Sequence, residues 1–339
     1  MPPDPSRLSS PEDCLALYER GFQGYYPDPA AEAALLSEID ARGGYSRALG
    51  AISHFKLYGA GEGVLSLPYL AAMQMYPECL PGGSQARGDC VSWSLRSARL
   101  VSYCASLLWG DNQERFAPPI VSDAARASGV FATESFYWYR GHSGEGWNCG
   151  DAARIALTKS GMMVRKNYPD IGIDLEEYSG ATAGKWGAFP PPDNVVAVTS
   201  RNLFSTATVC KTWQEVRDML ANGFALATCG SEAFERKRDE NGVCRRSNSV
   251  WHHAMSYIAA DDREEMKRRY RCEGLVLVQN SWANYCGDAC PIQGSKFKIP
   301  AGSFWARWED VRDRYMVAIG GGRGFAANPV PRWSLASII

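Results

Sequence analysis

The sequence predicts an α+β fold in which a helical lobe precedes a β-rich lobe. Three observations carry this. Between residue 90 and about residue 190 apolar side chains recur at helical spacing: Leu95, Ala98, Val101, Cys104 and Leu108 line one face of the segment beginning at Cys90, and DAARIALTKSG reads as a second amphipathic helix ended by Gly161. Beyond residue 190 the runs VWHHAMSYIAA and GLVLVQNSW have the pattern of buried strands. Between the two regimes, residues 186–192 (WGAFPPP) form a stiff, extended connector and mark the lobe boundary.

The remaining elements follow in order. Ser10-Pro11-Glu12-Asp13 is a helix-start signal for a helix over 14–22. Asp28-Pro29 opens a second, closed by Gly43 and Gly44, and LPYLAAMQMYPECL is a third helical pattern. Residues 1–80 are thus expected to be a helical accessory or docking segment, 81–190 the helical lobe, and 191–339 the β-rich lobe with a C-terminal tail. Within the helical lobe VSDAARASGV continues the helical pattern. FYWYRGHSGEGWNCG reads as an aromatic, glycine-rich loop, and residues 166–170 as a turn. In the second lobe residues 195–198 read as a strand, TWQEVRDMLANG as a helix stopped by Gly223, and FALATC as a strand. FKIPAGSFW is extended and WEDVRDRYMVAIG a late helix.

Composition narrows the function. The 339 residues are 45% hydrophobic, enough for one large or two-lobed domain. A net charge of −1 leaves no global field to draw the chain to nucleic acid or an anionic membrane. The basic run at 263–271 (REEMKRRYR) is interleaved with Glu264 and Glu265 and reads as a solvated helix face. No stretch reaches membrane-spanning length and the N-terminus carries no export signal, so the cytoplasm of the producing cell is the expected location. The eleven cysteines are then expected as reduced thiols. Cys286 and Cys290 form a CxxxC, but there are four histidines and no second close cysteine pair, so neither a zinc site nor an organic cofactor is expected.

The chemistry centres on Cys90. It stands where a polar, glycine-rich loop (Gly82, Gly83, Ser84, Gly88, Asp89) turns into a helix. Unpaired N–H groups and the positive end of the helix dipole favour a thiolate there. A cysteine nucleophile needs a base, an orienter for that base, and oxyanion donors. His253 opens the strand-like HAMSYIAA, and LVLVQ ends in Asn280-Ser281-Trp282. The Asn280 amide is suited to hold one ring nitrogen of His253, and Trp282 to shield that bond from water. Gln85 is placed to aim its amide at an oxyanion beside the Cys90 N–H. His252 reads as a neighbour without a catalytic role, His54 as structural, and Trp305 and Trp308 as lobe packing.

The combination of Gln85, Cys90-Val91-Ser92-Trp93, His253-Ala254 and Asn280-Ser281-Trp282 resembles the papain-like cysteine peptidases. The likeness extends over residues 85 to about 300, including Gly146-Trp147-Asn148-Cys149-Gly150 and the helix-then-strand TWQEVRDMLANGFALATCGSEAF. It implies a two-lobed fold with a cleft and thiol-dependent hydrolysis of a protein or peptide substrate. In it Cys90 is the nucleophile, His253 the base and acid, Asn280 the orienter, Gln85 the oxyanion donor, and Gly150 the groove position that binds extended peptide. Four departures stand out. Gln85 is five residues before Cys90 rather than six. Arg87 occupies the place of a disulfide cysteine, which leaves Cys149 unpaired. Asp89 adds a negative charge that opposes the thiolate. ANYCGDACPIQG follows Trp282 in place of the usual Gly and second Trp-Gly.

GDCVSW and FKIPAGSFWARWEDV resemble papain-like proteins encoded by bacteriophages. That likeness offers an alternative: a virion-associated structural or interaction protein, meeting other virion proteins through residues 1–80 and the tail. A lesser alternative, a cell-wall endopeptidase, would use His142, fifty-two residues after Cys90.

Overall fold

The computed structural model describes residues 24–41, 61–109, 119–204 and 206–320. The expected helix over 14–22, His54, the stop at Gly43 and Gly44, and the tail beyond residue 320 lie outside them. The first half contains α1 (Pro29–Ala41), β1 (Leu65–Ser66), α2 (Tyr69–Met75), α3 (Cys90–Trp109), α4 (Asp123–Ala127), β2 (Phe131–Ala132), α5 (Thr133–Tyr137), α6 (Cys149–Thr158), β3 (Met163–Val164), β4 (Asn167–Tyr168), β5 (Ile173–Asp174), α7 (Gly180–Trp186) and α8 (Asp193–Thr199). The second contains β6 (Ala207–Cys210), α9 (Trp213–Ala221), β7 (Leu226–Phe234), β8 (Arg246–Asp261), α10 (Glu264–Tyr270), β9 (Leu275–Gln279), β10 (Cys290–Pro291), β11 (Lys298–Ile299), β12 (Ser303–Arg307), α11 (Trp308–Val311) and β13 (Tyr315–Ile319). The α+β class and the helical-then-β order agree with expectation.

The main sheet runs β12-β9-β8-β7-β13-β6 with antiparallel neighbours throughout. The sixteen-residue β8 is its spine, and β1 pairs with the end of β8 through Leu65↔Asp261. Helix α3 lies against β7 and β8 and is buried on every side, Arg96 and Arg99 included. Serines fasten it there. Ser256 Oγ donates to Ser94 O at 2.9 Å, Thr228 N donates to Ser94 Oγ at 3.1 Å, and Ala225 N donates to Ser102 Oγ at 2.9 Å. Each buried pair satisfies polar groups that would otherwise lose their water.

Several elements differ from the sequence reading. Residues 195–198 belong to helix α8, which follows Pro192 with Asp193 in its first turn. Only Val195 and Thr199 of that helix are buried, four residues apart, so the apolar spacing is helical after all. The late helix stops at Val311, and YMVAI is instead β13, paired with both β6 and β7. An apolar run buried on both faces has no period to tell strand from helix. The loop FYWYRGHSGEGWNCG begins on the last two residues of α5 and continues as a 3₁₀ turn, Trp138–Arg140. Residues on both sides of the connector at 186–192 pack together: Val195 joins Ala132, Trp138, Met163 and Leu175 in one small core, and Trp186 stacks on Trp138 at 4.0 Å.

The N-terminal part is not peripheral either. Leu35 and Ile39 of α1, and Tyr69, Ala71 and Ala72 of α2, are buried. The basic run behaves as expected: in α10 only Met266 is buried, and Lys267 pairs with Glu264 and Asp262. No helix among the described residues is long and apolar enough to cross a membrane.

Candidate active site

Cys90 is the first residue of α3, with Asp89 O accepting from Trp93 N at 3.2 Å. Its Sγ accepts from the N–H of Ala254 at 3.4 Å. The thiol is therefore seated against β8 one residue from His253. The strand delivers His253 through a β-bulge: the β7–β8 register shifts between Gly230 and Glu232, and His252 takes φ 44°. A bulge re-aims the side chains that follow it. His252 itself turns to Ser231, with Nδ1 to Oγ at 3.2 Å.

His253 Nε2 and Asn280 Oδ1 are 2.9 Å apart, and the same Oδ1 accepts from Ser281 N at 2.7 Å. An oxygen already accepting one N–H must accept from His253 as well, so the proton sits on Nε2 and Nδ1 is the basic nitrogen. The Trp282 ring stacks on His253 at 4.5 Å and 19°. Both Cys90 and His253 are fully buried. Burial pushes the His253 imidazole down to about 3, with Arg314 adding to the depression and the Asn280 bond opposing it. In this closed arrangement the ring is a neutral base. Its folded value lies below the unfolded one, so it contributes stability above about pH 6.5 that is lost as pH falls toward 3.

The loop before Cys90 is tied to the loop after Asn280. Gln85 N donates to Ser281 O at 2.8 Å, Ser84 pairs with Trp282, and Ser281 Oγ donates to Gln85 Oε1. Gln85 Nε2 donates to Arg87 O at 2.8 Å. The Gln85 amide is thus oriented by its own loop despite the shortened spacing. Arg87 forms an ion pair with Glu145 at 3.2 Å, and Glu145 Oε2 also accepts from Gly88 N at 2.9 Å.

Three expectations are corrected. Cys149 is not unpaired: it forms a disulfide with Cys229, joining the start of α6 to β7. Gly150 does not face an open groove, since a Cβ there would sit 2.8 Å from Glu32 Cα of α1. Only hydrogen fits at that helix crossing. Asp89 does not act as a simple surface charge. Its carboxyl is fully buried, accepts from Tyr178 Oη at 3.0 Å and Trp93 Nε1 at 3.1 Å, and is pushed up to about 8 chiefly by burial.

This raised carboxyl makes a testable prediction. Between pH 4 and about pH 8 the folded chain holds a proton on Asp89 that the unfolded chain releases, so stability falls as pH rises through that window. Asp89→Asn is expected to flatten the dependence and to exceed wild type by about 1–3 kcal/mol above pH 8. Urea unfolding at pH 6 and pH 9 measures it.

The 146–150 stretch and His252, both named from the sequence, meet a third segment of backbone. Tyr25 forms an isolated parallel bridge with Trp147. Tyr25 N donates to His252 O at 2.9 Å, Tyr26 N to Trp147 O at 3.3 Å, and Trp147 N to Gly24 O at 3.2 Å. The backbone of residues 24–26 is therefore held by Trp147 on one side and by the His252 carbonyl on the other. Gly146, at φ 79°, and Asn148, the N-cap of α6, flank Trp147. His142 lies in the loop beyond Arg140, with its Nε2 3.4 Å from Tyr26 Oη, and its ring is not the one seated beside the Cys90 contact.

No family model and no curated protein matches the chain. Among solved structures it is similar to xylellain, a cysteine protease from Xylella fastidiosa, at 14% identity over 70% of this chain and 81% of that one, with a TM-score of 0.44. It is similar to procathepsin B S9 from Trypanosoma congolense at 9% identity over 80% of each chain, TM-score 0.46. It is also similar to the proform of Amb a 11, a ragweed pollen cysteine protease, at 10% identity over 91% and 94%, TM-score 0.34. None of these three is described as a phage protein. At such distances the functional reading rests on the chain's own residues.

Proposed function

We propose that this protein is a papain-like cysteine peptidase. The observation that carries the reading is the His253–Asn280 pair, stacked beneath Trp282 and set one residue from the N–H that contacts Cys90 Sγ. His253 Nδ1 takes the thiol proton and Cys90 Sγ attacks the peptide carbonyl carbon. The developing oxyanion is met by the Cys90 N–H and the Gln85 amide. His253 returns the proton to the leaving amine, and water then releases the acyl group from sulfur by the same route in reverse. No metal or organic cofactor takes part in these steps.

The test is labelling with an electrophilic peptide, a peptidyl epoxide, followed by peptide mapping. Modification is expected at Cys90, abolished in His253→Ala and retained in His142→Ala. Labelling spread evenly over the other cysteines would end the proposal, and dependence on His142 would move it to the cell-wall reading. The partner expected of this site is a protein or peptide chain. The alternative, docking to virion proteins through residues 1–80, is weakened by the internal packing of α1 and α2.

Residues 24–26 already hold the edge that a substrate backbone would use. In this reading they must leave Trp147 and His252 before hydrolysis begins. Tyr25→Pro removes the N–H that binds His252 O. It is expected to speed Cys90 labelling severalfold, measured as a second-order rate constant. An unchanged rate would mean that this segment does not limit access.

A further inference from the structure

Outside the active site the described residues hold a second group of thiols. Cys244, immediately before β8, and Cys286, in the loop after Trp282, have their sulfurs 3.7 Å apart, and the Cys244 S–H donates to Cys286. A disulfide needs about 2.05 Å, so about 1.7 Å separates this contact from a bond.

Both backbones are anchored. Cys244 N donates to Trp305 O at 2.9 Å, and Val243 pairs with Trp305. The Cys286 loop is closed by Tyr285 N to Trp282 O at 3.0 Å and Gly302 N to Gly287 O at 3.0 Å. Cys244 is wholly buried; Cys286, at 5% exposure, lines a surface cavity of about 620 Å³ with Arg236, Lys237, Arg238, Asp239, Glu240 and Cys290. The cavity therefore gives a small disulfide access to one thiol while the other waits behind it.

We propose that Cys244 and Cys286 are a reversible dithiol–disulfide couple, oxidised by a low-molecular-weight disulfide. The Cys286 thiolate attacks one sulfur of the small disulfide, forming a mixed disulfide and releasing one small thiol. Cys244 attacks the Cys286 sulfur and expels the second small thiolate, which carries off the Cys244 proton as a thiol. The protein gives up two electrons and two protons, and one small disulfide becomes two thiols. The new bond ties the segment leading into β8, which carries His253, to the loop that carries Trp282. Tyr285 sits edge-on to Trp282 at 5.2 Å, so the loop is braced directly behind the aromatic shield. The couple does not depend on the peptidase reading, and its test does not use activity.

The folded full-length chain is equilibrated in glutathione buffers of rising disulfide fraction, alkylated, and mapped by mass spectrometry. A Cys244–Cys286 cross-link is expected in wild type and in Cys290→Ser, and is absent in Cys286→Ser. Amide hydrogen exchange over residues 283–288 is expected to slow at least severalfold in the oxidised form, with no such change in Cys244→Ser. Three results would overturn the assignment: both thiols alkylated at every buffer ratio, a Cys286–Cys290 bond in place of the cross-link, or equal cross-linking in the urea-unfolded chain.

Discussion

Cys90→Ala is expected to lower kcat/KM on a cleavable peptide by on the order of 10⁴-fold or more, about 5 kcal/mol of transition-state stabilisation, while leaving the fold in place. The two halves of this expectation have different causes. Without the sulfur no acyl-enzyme forms, and the remaining donors have no covalent intermediate to stabilise. The stability cost is small because alanine fills most of the same buried space at the head of α3, whose docking depends on Ser94, Ser102 and Ser256 rather than on the thiol.

A graded series separates this mechanism from simple disruption of the cleft. His253→Ala is expected to cost about 10²–10⁴-fold as a lost acid–base group. Gln85→Ala is expected to cost about 10²–10³-fold if its amide supplies an oxyanion donor. Asn280→Ala should fall below that, because it acts on His253 only by orientation. Steady-state kinetics with a fluorogenic peptide, alongside circular dichroism of each variant, supply the measurements. Equal losses across all four variants, accompanied by loss of ellipticity, would assign the effect to folding instead of chemistry.

What could be read from the sequence was what is local. The loop-to-helix position of Cys90, the buried strand that carries His253 and the strand that ends before Asn280 are each announced within about ten residues by glycine, capping and apolar pattern, although β8 starts at Arg246 rather than at His253. What escaped reading was long-range or symmetric. Residues 195–198 and YMVAI carry β-branched or fully apolar patterns whose type is decided by neighbours distant in sequence. Gly150 lies under α1, and no local signal tells which helix will cross there. The charge expected on Asp89 ignored its burial beside Trp93 and Tyr178, which only the folded chain creates. The bulge at His252 has no marker in the sequence, since a histidine at φ 44° looks like any other strand residue until the register is known.

The Cys149–Cys229 disulfide carries the largest stability expectation. It links residues 80 apart and joins the start of α6 to β7. Closing a loop of that length removes unfolded-state entropy equivalent to about 4–5 kcal/mol in the chain-entropy model, and deletions of native bridges commonly cost about 2–5 kcal/mol. Cys149→Ala with Cys229→Ala is therefore expected to lower the midpoint of thermal unfolding by roughly 5–10 °C. The bridge also bears on how the protein is handled. Cys149 and Cys229 are buried, at 2% and 1% exposure, so a mild thiol reductant reaches them only through opening of the fold. Brief treatment should leave the midpoint unchanged, whereas reduction in urea followed by alkylation should reproduce the double variant. Such a bond persists where thiols are oxidised, which runs against the expectation of reduced thiols. A midpoint insensitive to both the double substitution and reduction in urea would show that α6 and β7 are held by packing alone. In that case Leu35, Ile39 and the buried face of α3 would become the residues to substitute next.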